Sequence, residues 1–247
     1  MRRLLRVSPA LLLVVAVAAA GASGVSTAGS GSAAAPSGPD TSPSTVGAPA
    51  SSSGAPFAAL TVTPDGAQSY DISTGVTTLP DGGTVIDQDT GVRLHAKRLT
   101  YVDGAYIDAS TVTVSGAFGT LTADKLHIDV PKAVLTASGD LALTRHALRL
   151  TAVRLTYDAG RQVADFTGPV TGSAPDFQAS RLLLDAASGN VLLVGDYRYA
   201  SGPLTLTAPE GGGRLELKLH QVNGSPVYDA ATDVSSELLA RFAAELN

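Results

Sequence analysis

Hydrophobic and polar residues alternate along most of this chain, and within each stretch the alternation slips once by a single residue. The clearest case is the stretch 148–158, L-R-L-T-A-V-R-L-T-Y-D. Leu148, Leu150 and Ala152 alternate with Arg149 and Thr151, the period-two pattern of a strand with one apolar face. Leu155 and Tyr157 then alternate with Arg154 and Thr156, one residue out of phase. In a flat strand that slip would turn the later side chains to the opposite face. The pattern therefore predicts a corner or bulge at Val153 and Arg154 that keeps Leu150, Ala152, Leu155 and Tyr157 on one side.

The same cassette, apolar-x-Ala-x-x-Leu-x-apolar, recurs three times. It joins Leu94 and Ala96 to Leu99 and Tyr101, Leu121 and Ala123 to Leu126 and Ile128, and Phe177 and Ala179 to Leu182 and Leu184. Fragments at 67–71 and 204–208, the second carrying Leu206, extend the series. The alanines fall at 67, 96, 123, 152, 179 and 208, with spacings of 29, 27, 29, 27 and 29. A fixed period of about 28 residues marks a repeat architecture. Return limbs with the same alternation are expected at 106–114, 133–143, 162–170 and 190–199, after turns carrying Asp103-Gly104, Val130-Pro131, Asp158-Ala159-Gly160 and Ser188-Gly189. Gly139, Gly168 and Gly195 fall part-way along three of these limbs, where glycine marks a bend. No convincing 3.6-residue period interrupts residues 57–222. The expectation is an all-β domain: a β-roll or stacked β-sandwich built of repeats, apolar inside, with exposed strand edges at both ends.

The flanks read differently. Residues 1–22 have the form of an export signal, with Arg2, Arg3 and Arg6 before an apolar run at 10–20 and an Ala20-Gly21-Ala22 cleavage site. The chain is thus expected in the periplasm or cell envelope, anchored to the inner membrane if the signal stays uncleaved. Residues 23–56 are almost wholly Ser, Gly, Ala, Pro and Thr, the composition of a flexible linker. Residues 57–222 suffice for one sizeable core. In the tail, 223–247, Ser235 or Ser236 can cap a short amphipathic helix with Leu238, Leu239, Phe242 and Leu246 on one stripe. That helix is expected either to cover the C-terminal edge of the roll, near 214–219, or to serve as an interaction segment. In the first case the N-terminal edge, near 61–78, alone stays free to pair with a partner's last strand.

Composition narrows the chemistry. The net charge is −5 with dispersed basic residues, which argues against nucleic acid as a partner. The chain has no Cys, so burial alone must hold the fold. The four histidines, His95, His127, His146 and His220, lack the convergent spacing of a metal site and read as surface residues. Asp71, Asp103, Asp129, Asp158 and Asp185 recur at or just after the ends of first limbs, where turn chemistry accounts for them better than paired catalytic carboxylates. With no Trp and 5% aromatic residues, a carbohydrate-active enzyme is disfavoured. No enzymatic activity and no cofactor is expected. Arg98, Lys125, Arg154 and Arg181 each precede the cassette's second leucine. They are either solvated corners or a basic ladder that meets anionic lipid head groups or a partner's carboxylates.

The cassette A-x-R/K-L-x-Y-D, the turn Asp158-Ala159-Gly160 and the segment A-S-G-D-L-A-L-T at 137–144 resemble the OstA-like proteins of lipopolysaccharide export, the LptA–LptC family. The resemblance covers about residues 67–219. It implies a β-jelly-roll open along one side, whose apolar interior carries lipid acyl chains, with edge-strand pairing to other OstA-like envelope proteins. The inward residues that would line such a groove are Leu94, Leu99, Tyr101, Leu121, Leu126, Ile128, Leu150, Leu155, Tyr157, Phe177, Leu182, Leu184 and Leu206. The same apolar pattern also suits a structural or scaffolding β-repeat protein with a closed, ligand-free core.

Overall fold

The computed structural model describes residues 57, 60–88, 91–116, 119–145, 148–173, 176–222 and 225–247. The signal and linker read from the sequence, 1–22 and 23–56, lie outside them, as does His146.

Seven long strands form an unbroken antiparallel meander: β5 (Arg93–Val102), β6 (Tyr106–Gly116), β7 (Gly119–Asp129), β8 (Val134–Arg145), β9 (Leu148–Asp158), β10 (Val163–Ser173) and β11 (Asp176–Asp185). Cassette limbs alternate with return limbs, and each limb bends once, where the sequence slips phase. On the return limbs the bend falls at residues with left-handed backbone: Thr111 (φ 51°), Gly139 (φ 76°) and Gly168 (φ 89°). Pairing on either side of Gly139 and Gly168 shifts register, as bulges do. Two things require glycine at 168. Its φ is positive, and an added Cβ would lie 2.5 Å from Val153 Cγ2 on the neighbouring cassette.

Toward both ends of the sheet the bend sharpens and splits each limb into two strands. These are β1 (Leu60–Pro64) with β2 (Ser69–Asp71), β3 (Val76–Leu79) with β4 (Gly83–Asp87), β12 (Val191–Gly195) with β13 (Arg198–Ser201), and β14 (Leu204–Thr207) with β15 (Gly213–Val222). The pairing shows the consequence. The first part of β5 pairs with β4 (Val85 opposite Leu94), and the rest pairs with β3 (Leu79 opposite Leu99). β11 likewise meets β13 before its bend (Phe177 opposite Tyr199) and β12 after it (Leu182 opposite Leu193). One 16-stranded sheet is thus folded lengthwise along its column of bends. A first wall runs before the cassette corner and a second wall after it. The cassette alanines 67, 96, 123, 152, 179 and 208 all lie at this fold line. β16 (Ser225–Ala231) pairs with β15 and carries the sheet into the stretch that the sequence assigns to the tail.

The margin of the second wall is a row of turns held by the aspartates of the repeat. Asp129 Oδ1 accepts from the Lys132 amide at 3.1 Å, Asp158 Oδ1 from the Arg161 amide at 2.8 Å, and Asp185 Oδ1 from the Ala187 amide at 3.2 Å. Successive turns are stitched by backbone bonds: Val130 N donates to Ala105 O, Ala159 N to Ala133 O and Ala186 N to Gln162 O, at 2.8–3.0 Å.

The tail forms two short helices, α1 (Ser236–Arg241) and α2 (Ala243–Leu246), with Ser235 as the N-cap. They do not cover the C-terminal edge. Leu238 and Phe242 pack on the outer face of the second wall, against Val163, Leu183 and Leu192. The reason is chemical: a strand edge offers unpaired N–H and C=O groups, whereas an apolar stripe needs an apolar surface. Among the described residues, β1 and β2 end the sheet on one side and β14 and β16 on the other, so the one-sided docking expected from a plugged edge does not arise. None of the described helices is long and apolar enough to cross a membrane.

Candidate functional site

Both walls turn their alternate residues inward, and these merge into one apolar cluster that runs from Leu79 to Tyr228. Leu94, Leu99, Leu121, Leu126, Ile128, Leu150, Leu155, Tyr157, Phe177, Leu182 and Leu184 are all buried within it. Tyr101 and Leu206 are half-buried at its periphery. The corner works as the phase slip requires: Leu150, Ala152, Leu155 and Tyr157 are each at most 8% exposed, while Val153 between them is 57% exposed. The return limbs contribute equally, through Ile107, Val112, Val114, Phe166 and Val170. Their own alternation, visible in the sequence, is the signal that marks them as inward residues of the same kind. The buried charges among the described residues, Asp185 and Glu216, both lie on the outer face beneath the helices, so none of them enters the interior.

Of the partly exposed members of the cluster, Tyr101, Val130, Ala133 and Leu135 lie at the turn margin of the second wall and Leu60, Val62, Leu204 and Leu206 near the two ends, while Val92 lies at the margin of the first wall and Ala208 at the fold line. Beside the margin, Tyr157 holds a buried hydroxyl with no hydrogen-bond partner among the described residues. Burial, reinforced by the Asp158 charge, pushes its pKa up to about 12. An unpartnered buried hydroxyl is destabilising by about 1–3 kcal/mol relative to a satisfied one.

Outside, strand register lines up one row across the second wall: Arg98, Ser110, Lys125, Ser138, Arg154, Thr167, Arg181, Val194 and Arg214, each opposite the next. Cations therefore recur on alternate strands, about 10 Å apart, with hydroxyl side chains between the first four. Arg98, Lys125 and Arg154 are exposed, and none makes a side-chain hydrogen bond or ion pair among the described residues. Arg181 differs. Its guanidinium grips Asp165 at 2.8 and 2.7 Å.

The same wall carries the contacts that hold the helices. Ser235 donates through its amide and hydroxyl to Glu216 at 2.7 and 3.1 Å. Arg161 forks onto Glu245 and also donates to Arg241 O; Arg241 in turn reaches Arg161 O and Asp185 Oδ1. Burial raises the Asp185 pKa, but hydrogen bonds from Arg241 and Ser188 outweigh it and leave the carboxyl below its ordinary value. His95 and His127 face outward, as their place in the cassette predicts; His127 Nδ1 lies 2.8 Å from Asp108 and His95 3.7 Å from Asp65. Asp71 accepts from Ser73 inside its turn, which lowers its pKa.

No protein-family model and no curated protein matches this chain. Among solved structures, it is similar to LptH of Pseudomonas aeruginosa, described as the LptA-homologous periplasmic component of the conserved lipopolysaccharide transport device. That similarity has 12% identity and a TM-score of 0.38, and it covers 44% of this chain and 81% of LptH.

Proposed function

We propose that this chain is an exported envelope protein that shields lipid acyl chains between the two walls of its folded sheet. The observation that carries this reading is the distribution of exposure in the interior. The core is continuous and apolar along the whole roll, and Tyr101, Val130, Ala133 and Leu135 bring it toward solvent along the turn margin. An acyl chain entering there would meet apolar side chains inside and polar groups only at the rim. The lining would be Leu94, Leu99, Tyr101, Leu121, Leu126, Ile128, Leu150, Leu155, Tyr157, Phe177, Leu182, Leu184 and Leu206. Lipopolysaccharide or another envelope lipid would be the cargo, and other OstA-like proteins would join at the outer edges of the edge strands β1, β2, β14 and β16.

A photo-crosslinking residue at Leu135, Leu150, Leu155 or Leu182 should capture lipid in cells. A folded protein that captures none at any of these positions would sink the proposal. The tight burial of Leu150, Leu182 and Leu184 favours a second reading, a scaffold whose interior is filled by its own side chains. In that case Leu150→Ala and Leu182→Ala each cost about 2–5 kcal/mol and capture nothing.

A further inference from the structure

We infer that the cation row on the second wall is a docking face for an anionic lipid bilayer. Its contiguous free part comprises Arg98, Lys125 and Arg154, on β5, β7 and β9. Arg214, also exposed and without a side-chain hydrogen bond or ion pair among the described residues, stands apart at the far end of the row, beyond Arg181. Register fixes their alignment, so the three charges form a straight line beside the fold line, on the outer side of the bent sheet. Ser110 and Ser138 stand between them and offer hydroxyl donors to phosphate oxygens. A shallow groove of about 390 Å³ runs over this stretch, its lining including Arg98, Asp108, Ser110, Lys125, His127 and Ser138.

No acidic neighbour forms an ion pair with these three cations among the described residues. Asp108, which is exposed, is hydrogen-bonded to His127, and Asp165 is ion-paired with Arg181. Asp124 and Asp140 lie at the bend beside the row, and neither forms an ion pair with it. The chain's net charge of −5 selects the partner class. A free polyanion is steered by the field of the whole molecule, which is repulsive here. A bilayer touches one face only, and at physiological salt the Debye length of about 8 Å hides the rest. The line of cations at about 10 Å intervals suits a flat array of head groups.

The test sediments the full chain with phosphatidylcholine vesicles, with or without phosphatidylglycerol, and reads the anionic-to-neutral partition ratio. The N-terminal segment, with Arg2, Arg3 and Arg6, adds the same anionic preference to every variant, so the change in the ratio between variants is the readout. Each basic residue near an anionic surface is worth about fivefold in partitioning. Replacing Arg98→Ser, Lys125→Ser and Arg154→Ser together should lower the ratio roughly 100-fold with no change in Tm. Asp124→Asn with Asp140→Asn should raise it. A triple variant with the wild-type ratio overturns the inference. So does an equal loss when the exposed cations off the row are replaced, through Arg93→Ser, Lys132→Ser and Arg149→Ser. Abolition of the anionic preference by inorganic phosphate at matched phosphate concentration would mark a soluble-anion site and overturn it as well.

Discussion

Along the outer face of the second wall, one cross-strand row changes character part-way. It reads Thr100, Asp108, His127, Thr136, Thr156, Asp165, then Leu183, Leu192 and Glu216. His127, Thr156 and Leu183 occupy the same place in successive cassettes. The first two meet solvent; Leu183 is fully buried beneath the helices. The backbone treats all three alike, so the difference lies in what covers them. Strands buried on one face alternate, whereas strands buried on both faces read as unbroken apolar runs. Leu182-Leu183-Leu184 and Val191-Leu192-Leu193 are such runs, and the chain supplies its own cover for them.

Removal of residues 235–247 should have the largest effect. The covered region should then present Val163, Leu183 and Leu192 as an apolar patch, and the protein should self-associate in sedimentation at concentrations where the intact chain is monomeric. Adding Leu183→Thr and Leu192→Thr, which copies the polar outer face of earlier cassettes, should restore the monomer. A truncated protein that stays monomeric without them would refute the account of the cover.

Phe242→Ala should cost about 3–5 kcal/mol in denaturant unfolding, as expected for a fully buried aromatic residue. His127→Ala, at the uncovered end of the row, should stay within about 0.5 kcal/mol. Equal effects at the two sites would erase the distinction.

Acid should sharpen it. The Asp185 carboxyl sits below its ordinary pKa because Arg241 and Ser188 together outweigh its burial. A depressed folded-state pKa adds stability that is present above the unfolded value of about 3.9 and is lost as pH falls through the folded value. Asp185→Asn should therefore be less stable than wild type at pH 7, by about 1.5–3 kcal/mol for a charged hydrogen bond. The two stability curves should converge below about pH 4. A difference that persists at the lowest pH would assign the loss to packing instead.

The smallest effect is expected at a feature both regions share. Thr111 holds a left-handed conformation where the equivalent limbs place Gly139 and Gly168. That conformation costs an L-residue roughly 1–2 kcal/mol, against about 0.5–1 kcal/mol for glycine's extra chain entropy. Thr111→Gly should raise stability by about 0.5 kcal/mol, and a loss would mean that the Thr111 side chain contributes more than its strain.

The bend was legible because it leaves a phase error in the residues themselves, at Ala152, Val153 and Arg154 as in three other cassettes. The turn aspartates were legible for the same reason, since their bonds reach only two or three residues along the chain. The helix docking site was hidden, because the stripe Leu238, Leu239, Phe242 and Leu246 fits any apolar surface. Its address lay in the apolar runs at 182–184 and 191–193 rather than in the helix. The bond from Arg181 to Asp165 depends on register between neighbouring strands, which alternation alone does not set. The state of the interior was illegible for a different reason: a filled core and a lipid groove demand the same inward residues.

The column of bends also bears on heredity. Each cassette with its return limb carries its own corner, its own turn and its own stitch to the next turn. A gene that gained or lost one such unit by slippage between the near-identical periods would encode a longer or shorter molecule of unchanged cross-section. Only the two end limbs and the two-faced strands under the helices would resist that exchange, since their neighbours differ. Length is thus a nearly free parameter of this design, whereas width is fixed by the corner inside every unit.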